Sequence, residues 1–191
     1  FSQVSFFIND HLIVDAGSIT SVLSMKEQHS IQQILITHGH LDHIKDICFL
    51  GESLFLSGSH RTLPIYSAPA ILTDIRKNLL NGITWPKMHL FPTKDRPIFS
   101  LRSIRKSLLL GSLSVQAIPA PHSHTALSFI ISEKNKSIVI SGDMAPTRAL
   151  WDEVNRLKHL KAIFLELSFP GALADLAWQT RHLSTLSLIR E

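Results

Sequence analysis

The most constraining feature of this chain is the way its aliphatic runs end. Ile34-Leu35-Ile36-Thr37 reads as a buried strand and passes directly into His38-Gly39-His40-Leu41-Asp42-His43; a short apolar, β-branched run is strand-sized rather than helix-sized. The same pattern recurs downstream. Leu113 to Ile118 leads to Pro121-His122-Ser123-His124, Ser137-Ile138-Val139-Ile140 to Ser141-Gly142-Asp143, and Ala162-Ile163-Phe164-Leu165 to Glu166. Buried strands that repeatedly deliver polar residues at their ends belong to layered folds, in which strand ends form the sites.

Between these strands the spacing predicts helices. One is expected over Thr20 to His29, one from Pro69 through Leu80 with Asn81-Gly82 as its stop, one over Trp151 to Leu160, and a last one starting near Ser184. Proline suits the first helical turn and Asn-Gly suits a helix end. Val4 to Ile8 and His11 to Gly17 read as two strands joined at Asn9-Asp10, and Leu127 to Ile131 pairs through Glu133-Lys134-Asn135-Lys136 with the strand at Ser137. Strands interleaved with helices argue for an α/β chain, and the hairpins argue for mixed rather than all-parallel sheets.

The 191 residues, 45% hydrophobic and 18% charged, are close to one ordinary domain, so residues 1–191 are expected to form a single domain. No run reaches the roughly 18 to 20 apolar residues of a membrane span. The single cysteine, Cys48, excludes an internal disulfide framework and a cysteine-rich metal cage, which suits a reducing, cytoplasmic setting. A net charge of +4 attracts anions but is not gathered into a patch of nucleic-acid size. The start at Phe1, without a leader pattern, is read as a missing upstream piece.

Three imidazoles and a carboxylate within six residues, His38, His40, Asp42 and His43, form a metal-site pattern, because each type ligates a borderline divalent ion. In an extended segment His38 and His40 project to one side, while Asp42 and His43 lie about one turn further on and can face a second ion. A two-metal site needs more donors than these four. His122 or His124, Asp143 and His182 stand at the remaining strand and helix ends.

The order of these motifs resembles the metallo-β-lactamase superfamily, through His38-x-His40-x-Asp42-His43 followed by His122, Asp143 and His182. The resemblance implies a four-layer αββα fold of two mixed sheets flanked by helices. It implies that His38, His40 and His122 hold one metal, that Asp42, His43 and His182 hold the other, and that Asp143 bridges them. Asp15, in Val14-Asp15-Ala16-Gly17, matches the superfamily's early aspartate, and Asp15 and Glu166 are read as acceptors for ring N–H groups of ligating histidines. For the middle histidine, His122 is favoured because Pro-Ala-x-His is followed seven residues on by Phe129; His124 is the alternative and would then stand behind the ligands.

Within the superfamily the chain is most similar to class II cyclic-nucleotide phosphodiesterases, through Asn81-Gly82-Ile83-Thr84-Trp85-Pro86, Leu150-Trp151 and Glu166-Leu167-Ser168-Phe169-Pro170 ahead of His182-Leu183-Ser184. That resemblance implies hydrolysis of a 3',5'-cyclic nucleotide such as cyclic AMP by a hydroxide shared between two divalent ions, Zn by preference and Mn or Fe as alternatives. Asp42 is the expected ligand and proton acceptor. Other hydrolases of the superfamily (tRNA 3'-processing nucleases, thioesterases, lactonases) and an inactive metal-binding scaffold stay open, since one fold hosts many chemistries. The expected partner is a small-molecule substrate, with a homodimer compatible. The family pattern also begins before Phe1 and continues past the helix after His182, so the chain is read as truncated at both ends.

Overall fold

A computed structural model describes residues 3–191, which fall into two compact units, residues 3–103 and 104–191. The start at Phe1, on which the reading of a missing upstream piece rests, lies outside the described residues.

In the first unit, β1 (Phe6–Ile8) and β2 (Leu12–Val14) form an antiparallel hairpin, with Ile8 opposite Leu12. Its turn places Asn9 and Asp10 at φ 49° and 57°, the left-handed region that short polar side chains tolerate best. Two short helices follow, α1 (Ile19–Val22) and α2 (Met25–Ser30), where one continuous helix was expected. The break has a local cause. Ser24 accepts from the Glu27 backbone N–H while Glu27 accepts from that of Ser24, a reciprocal cap that starts a new helix.

Then come β3 (Gln33–Leu35), α3 (Leu41–Ile44), α4 (Asp46–Leu56), β4 (Leu63–Ser67) and α5 (Pro69–Asp74). A π-helical turn over Ile75–Leu79 continues α5 toward Gly82, whose φ of 87° ends the element as expected. β5 (Phe99–Ser103), which the sequence reading did not anticipate, closes the sheet in the order β1-β2-β3-β4-β5, parallel from β2 onward. Leu12, Ile13, Val14, Ile34, Leu35 and Ile36 are fully buried without alternation, as is usual for strands buried on both faces. The polar ends of these strands are therefore held on a rigid base.

In the second unit, β6 (Ser107–Leu110), β7 (Leu113–Pro121), β8 (Thr125–Glu133) and β9 (Lys136–Ile140) form an antiparallel meander, and β10 (Leu160–Phe164) joins β9 in parallel. Both sheets are thus mixed, as expected. The intervening α6 spans Arg148–Val154 and not Trp151 to Leu160. Thr147 caps its start by accepting from the Ala149 N–H, and the chain must leave the helix so that the His159 carbonyl can pair with Ser137 N–H at the entry to β10. Ile118, Ile130 and Val139 pack with Met144, Leu150, Val154 and Leu183 in one apolar cluster. α7 (Ala174–Thr180) and α8 (Thr185–Leu188) complete the unit, the latter capped by Ser184. Among the described residues no helix is long and apolar enough to cross a membrane.

Candidate metal centre

The first unit carries one donor cluster. β3 ends at Leu35, and the extended segment after it reaches His38, which is fully buried, before His40 starts α3. His38 Nε2 and His40 Nδ1 are 3.1 Å apart, so the two rings do turn to one side. On the following helical turn His43 is buried with its ring centroid 4.1 Å from that of His38, and its Nε2 is 3.7 Å from Asp42 Oδ2. Asp42 is 55% exposed. A carboxylate there can exchange protons with solvent.

Asp15 organises this cluster. It is fully buried at φ 58°, a conformation that costs a non-glycine residue of order 1 kcal/mol and persists where surroundings over-determine it. Its Oδ1 accepts from Thr37 N–H at 2.8 Å; its Oδ2 accepts from Thr37 Oγ1 at 2.7 Å and from His43 Nδ1 at 2.8 Å. These bonds set the tautomers. His43 spends its Nδ1–H on Asp15, so its lone pair lies on Nε2. Thr37 spends its only hydroxyl hydrogen on Asp15, so at the 3.1 Å contact with His38 Nδ1 the hydroxyl must accept, and His38 also carries its lone pair on Nε2.

Gly17 permits this approach. Any Cβ at Gly17 would stand 1.8 Å from the Asp42 carbonyl oxygen. Val4 N–H donates to that same carbonyl, Gly17 N–H donates to Val4 O, and Ala16 N–H donates to His43 O. The loop bearing Asp15 and the turn bearing Asp42 and His43 are thereby locked at van der Waals distance.

The second unit carries the other cluster. His122 and His124 lie in the β7–β8 connection. His122 Nδ1 donates to the Arg181 carbonyl at 3.0 Å, which puts its lone pair on Nε2, and its ring centroid is 4.9 Å from that of His182. The structure thus brings His122 beside His182, whereas His124 is on the exposed part of the turn. Arg181 ends α7 at φ 61°, a left-handed cap that turns the chain into His182. Leu183, fully buried in the apolar cluster, anchors the next position.

Glu166 plays in this unit the part Asp15 plays in the first. It accepts from Leu183 N–H at 2.7 Å, from Ser168 N–H and Oγ at 2.9 Å, and from His182 Nδ1 at 3.2 Å. Asp143 follows Gly142 at the end of β9 and stands 3.9 Å from His182 Nδ1. Ser141 pins that loop, its N–H donating to Phe164 O and its carbonyl accepting from Ser128 Oγ.

Thr37, Ser168 and the Arg181 carbonyl were not singled out from the sequence. Each is an ordinary residue beside a flagged one, and only its partner gives it meaning. Two further side chains lie apart from these clusters: Trp85 packs edge-on against Phe49 at 5.4 Å, and Cys48 is buried on α4. Burial, opposed by a backbone hydrogen bond and reinforced by the nearby Asp46 charge, pushes the Cys48 thiol up to about 11. It is no nucleophile at neutral pH.

Imidazoles with Nδ1 engaged and Nε2 carrying the lone pair, next to carboxylates, are the donor chemistry of a borderline divalent ion, so these residues fit such a metal.

Comparison with known proteins points the same way. The family model described as "Beta-lactamase superfamily domain" matches residues 16–185. The 3',5'-cyclic-nucleotide phosphodiesterase 1 of Saccharomyces cerevisiae is 24% identical over 231 residues, covering 98% of this chain; the chain spans 62% of that protein. Among solved structures, the metallo-beta-lactamase fold protein YhfI from Bacillus subtilis superposes with a TM-score of 0.74 at 17% identity, covering 97% of this chain and 71% of that one. The short form of human tRNase Z superposes with a TM-score of 0.69 at 19% identity, covering 97% and 78%.

Proposed function

This chain belongs to the beta-lactamase superfamily and has the metallo-β-lactamase fold, and from that premise we propose that it is a metal-dependent hydrolase, a phosphodiesterase that converts a 3',5'-cyclic nucleotide to the 5'-monophosphate. The observation that carries the hydrolase reading is the shared tautomer: Nδ1 of His43 and His122 is committed to oxygen acceptors, and His38 follows through Thr37. The cyclic-nucleotide reading is supported by the similarity to the yeast phosphodiesterase along 98% of this chain, together with the Asn81 to Pro86 and Glu166 to Pro170 segments.

The proposed ligand sets are His38, His40 and His122 for one divalent ion and Asp42, His43 and His182 for a second, with Asp143 shared. His124 stays outside them. Two such ions, zinc by preference, would acidify a water and neutralise charge gathering on the phosphoryl oxygens. Asp42, exposed and beside His43, would take a proton from the attacking water as the bond from phosphorus to the 3' oxygen breaks, and would return one to that departing oxygen to give the 3'-hydroxyl. Asp15 and Glu166 hold His43 and His182 in one orientation, so the rings need no rearrangement as the reaction proceeds.

The test is metal content by elemental mass spectrometry on protein purified without chelator, beside cyclic AMP turnover. About two ions per chain, lost in His38→Ala and His182→Ala together with 5'-AMP formation, is the expected result. Metal-loaded protein that leaves cyclic AMP intact but cleaves a pre-tRNA 3' trailer, a thioester or a lactone would replace the substrate assignment. Retained metal with none of these substrates turned over would leave the inactive metal-binding scaffold, and failure to retain Zn²⁺ or Mn²⁺ would overturn the metal centre itself.

A further inference from the structure

The first unit holds a cavity of about 300 Å³ at the opposite end of its sheet from the histidine cluster. Its residues lie in the segments that enter β4 and β5, whereas His38 and Asp15 follow strand exits. A strand rises roughly 3.3 Å per residue, so the length of β4 alone puts about 16 Å between the two ends.

Nitrogen donors collect there. His60, Arg61 and Arg96 all line the cavity, and no Asp or Glu is among its described lining residues. Arg61 is partly buried, and its Nη2 is shielded from solvent without a hydrogen-bond partner among the described residues. Burial lowers the Arg61 pKa, a sign that its charge is poorly solvated. A guanidinium that stays charged yet lacks an anion is costly, and a bound oxyanion would relieve that cost. Thr93 adds a hydroxyl that already accepts from Arg96 N–H, with its own hydrogen left to donate. Apart from Ser59, the remaining wall is apolar and includes Phe55, Pro97 and Ile98. The Pro92–Pro97 bridge and the bond from Thr62 Oγ1 to Pro97 O hold this wall in place.

We propose that this cavity binds a small phosphate monoester whose organic part is apolar or aromatic. Two guanidiniums with an imidazole match a dianion better than a single carboxylate, through the forked donors that arginine offers. The volume is at the lower end of small-molecule sites and admits one ring beside the phosphate. The proposal is independent of the reaction at the metal ligands.

Calorimetric titration of the metal-loaded chain with phenyl phosphate tests it, with benzoate and inorganic phosphate as parallel arms. Phenyl phosphate is expected to bind saturably, at least about tenfold more tightly than benzoate and more tightly than inorganic phosphate. Arg61→Met keeps the apolar stem, and Arg96→Ala alters an exposed side chain whose loss spares the fold. Each is expected to weaken binding about tenfold, with metal content and melting temperature retained. If Arg61→Met fails to fold, Arg96→Ala decides. The proposal is overturned by absence of saturable binding, by equal affinity for benzoate, or by phenyl phosphate affinity unchanged in the folded variants, which would place the ligand on the metals.

Discussion

Asp15 and His43 are 28 residues apart in sequence, yet the buried Asp15 carboxylate accepts the His43 Nδ1–H at 2.8 Å from a left-handed backbone position. Because the same carboxylate also holds Thr37, which in turn faces His38, one acidic residue sets the donor atom of two imidazoles.

Asp15→Asn is expected to weaken metal binding more than folding. Asparagine tolerates a φ of 58° as well as aspartate does, but its NH₂ faces buried donors, so a stability loss of about 1–3 kcal/mol is expected beside the loss of binding. Divalent-ion affinity should fall roughly 10- to 100-fold, as is usual when the residue behind a ligating histidine is altered. Competition with a metallochromic chelator measures it, and unchanged affinity would show that Asp15 does not orient His43.

Gly17→Ala should do the reverse, damaging fold and site together. The new methyl would lie 1.8 Å from the Asp42 carbonyl, a backbone atom with no free movement. Displacing the α3 turn should destabilise the chain by about 3 kcal/mol or more and lower metal content in parallel. Thermal melts and elemental analysis read the two effects; a native melting curve would mean the loops are looser than their hydrogen bonds imply.

For Glu166→Gln the expected loss is intermediate. The amide keeps one acceptor oxygen for Leu183, Ser168 and His182 but brings an NH₂ group against donors. A stability loss of about 1–3 kcal/mol follows from unsatisfied N–H groups. Ions should be lost preferentially from the His182 side, read as about one ion per chain retained.

Alkali gives a prediction with a defined sign. Cys48 ionises at its ordinary 9.0 when unfolded but near 11 when buried, so between these values the unfolded chain binds fewer protons. Stability contributed by the neutral buried thiol is complete below pH 9 and declines as pH rises toward 11. Denaturant melts of wild type and Cys48→Ala should therefore converge over that interval. Iodoacetamide at pH 8 should leave the folded thiol unmodified, and rapid alkylation there would contradict its burial.

The strand runs at Ile34 and Ser137, the Asn9-Asp10 turn and the cap at Ser184 were legible because each is written in neighbouring residues. So was the His38 to His43 cluster, whose density needs no partner to be noticed. β5, with Ser100, Arg102 and Ser103 among its five residues, has no apolar run, and it is a strand only because β4 pairs with it. The expected helix over Trp151 to Leu160 stopped at Val154 for the same reason: β9 draws His159 into its own ladder.

In the candidate site the division follows sequence distance. Residue types able to hold a divalent ion, and their place at strand ends, were determined by the sequence alone, because side-chain chemistry and local periodicity are properties of adjacent residues. The donor atom of each ring was decided only by tertiary structure. His122 takes its tautomer from a carbonyl 59 residues away and His182 faces a carboxylate 16 residues away. A proton on an imidazole goes where its acceptor is, and packing within each unit brings those acceptors into reach.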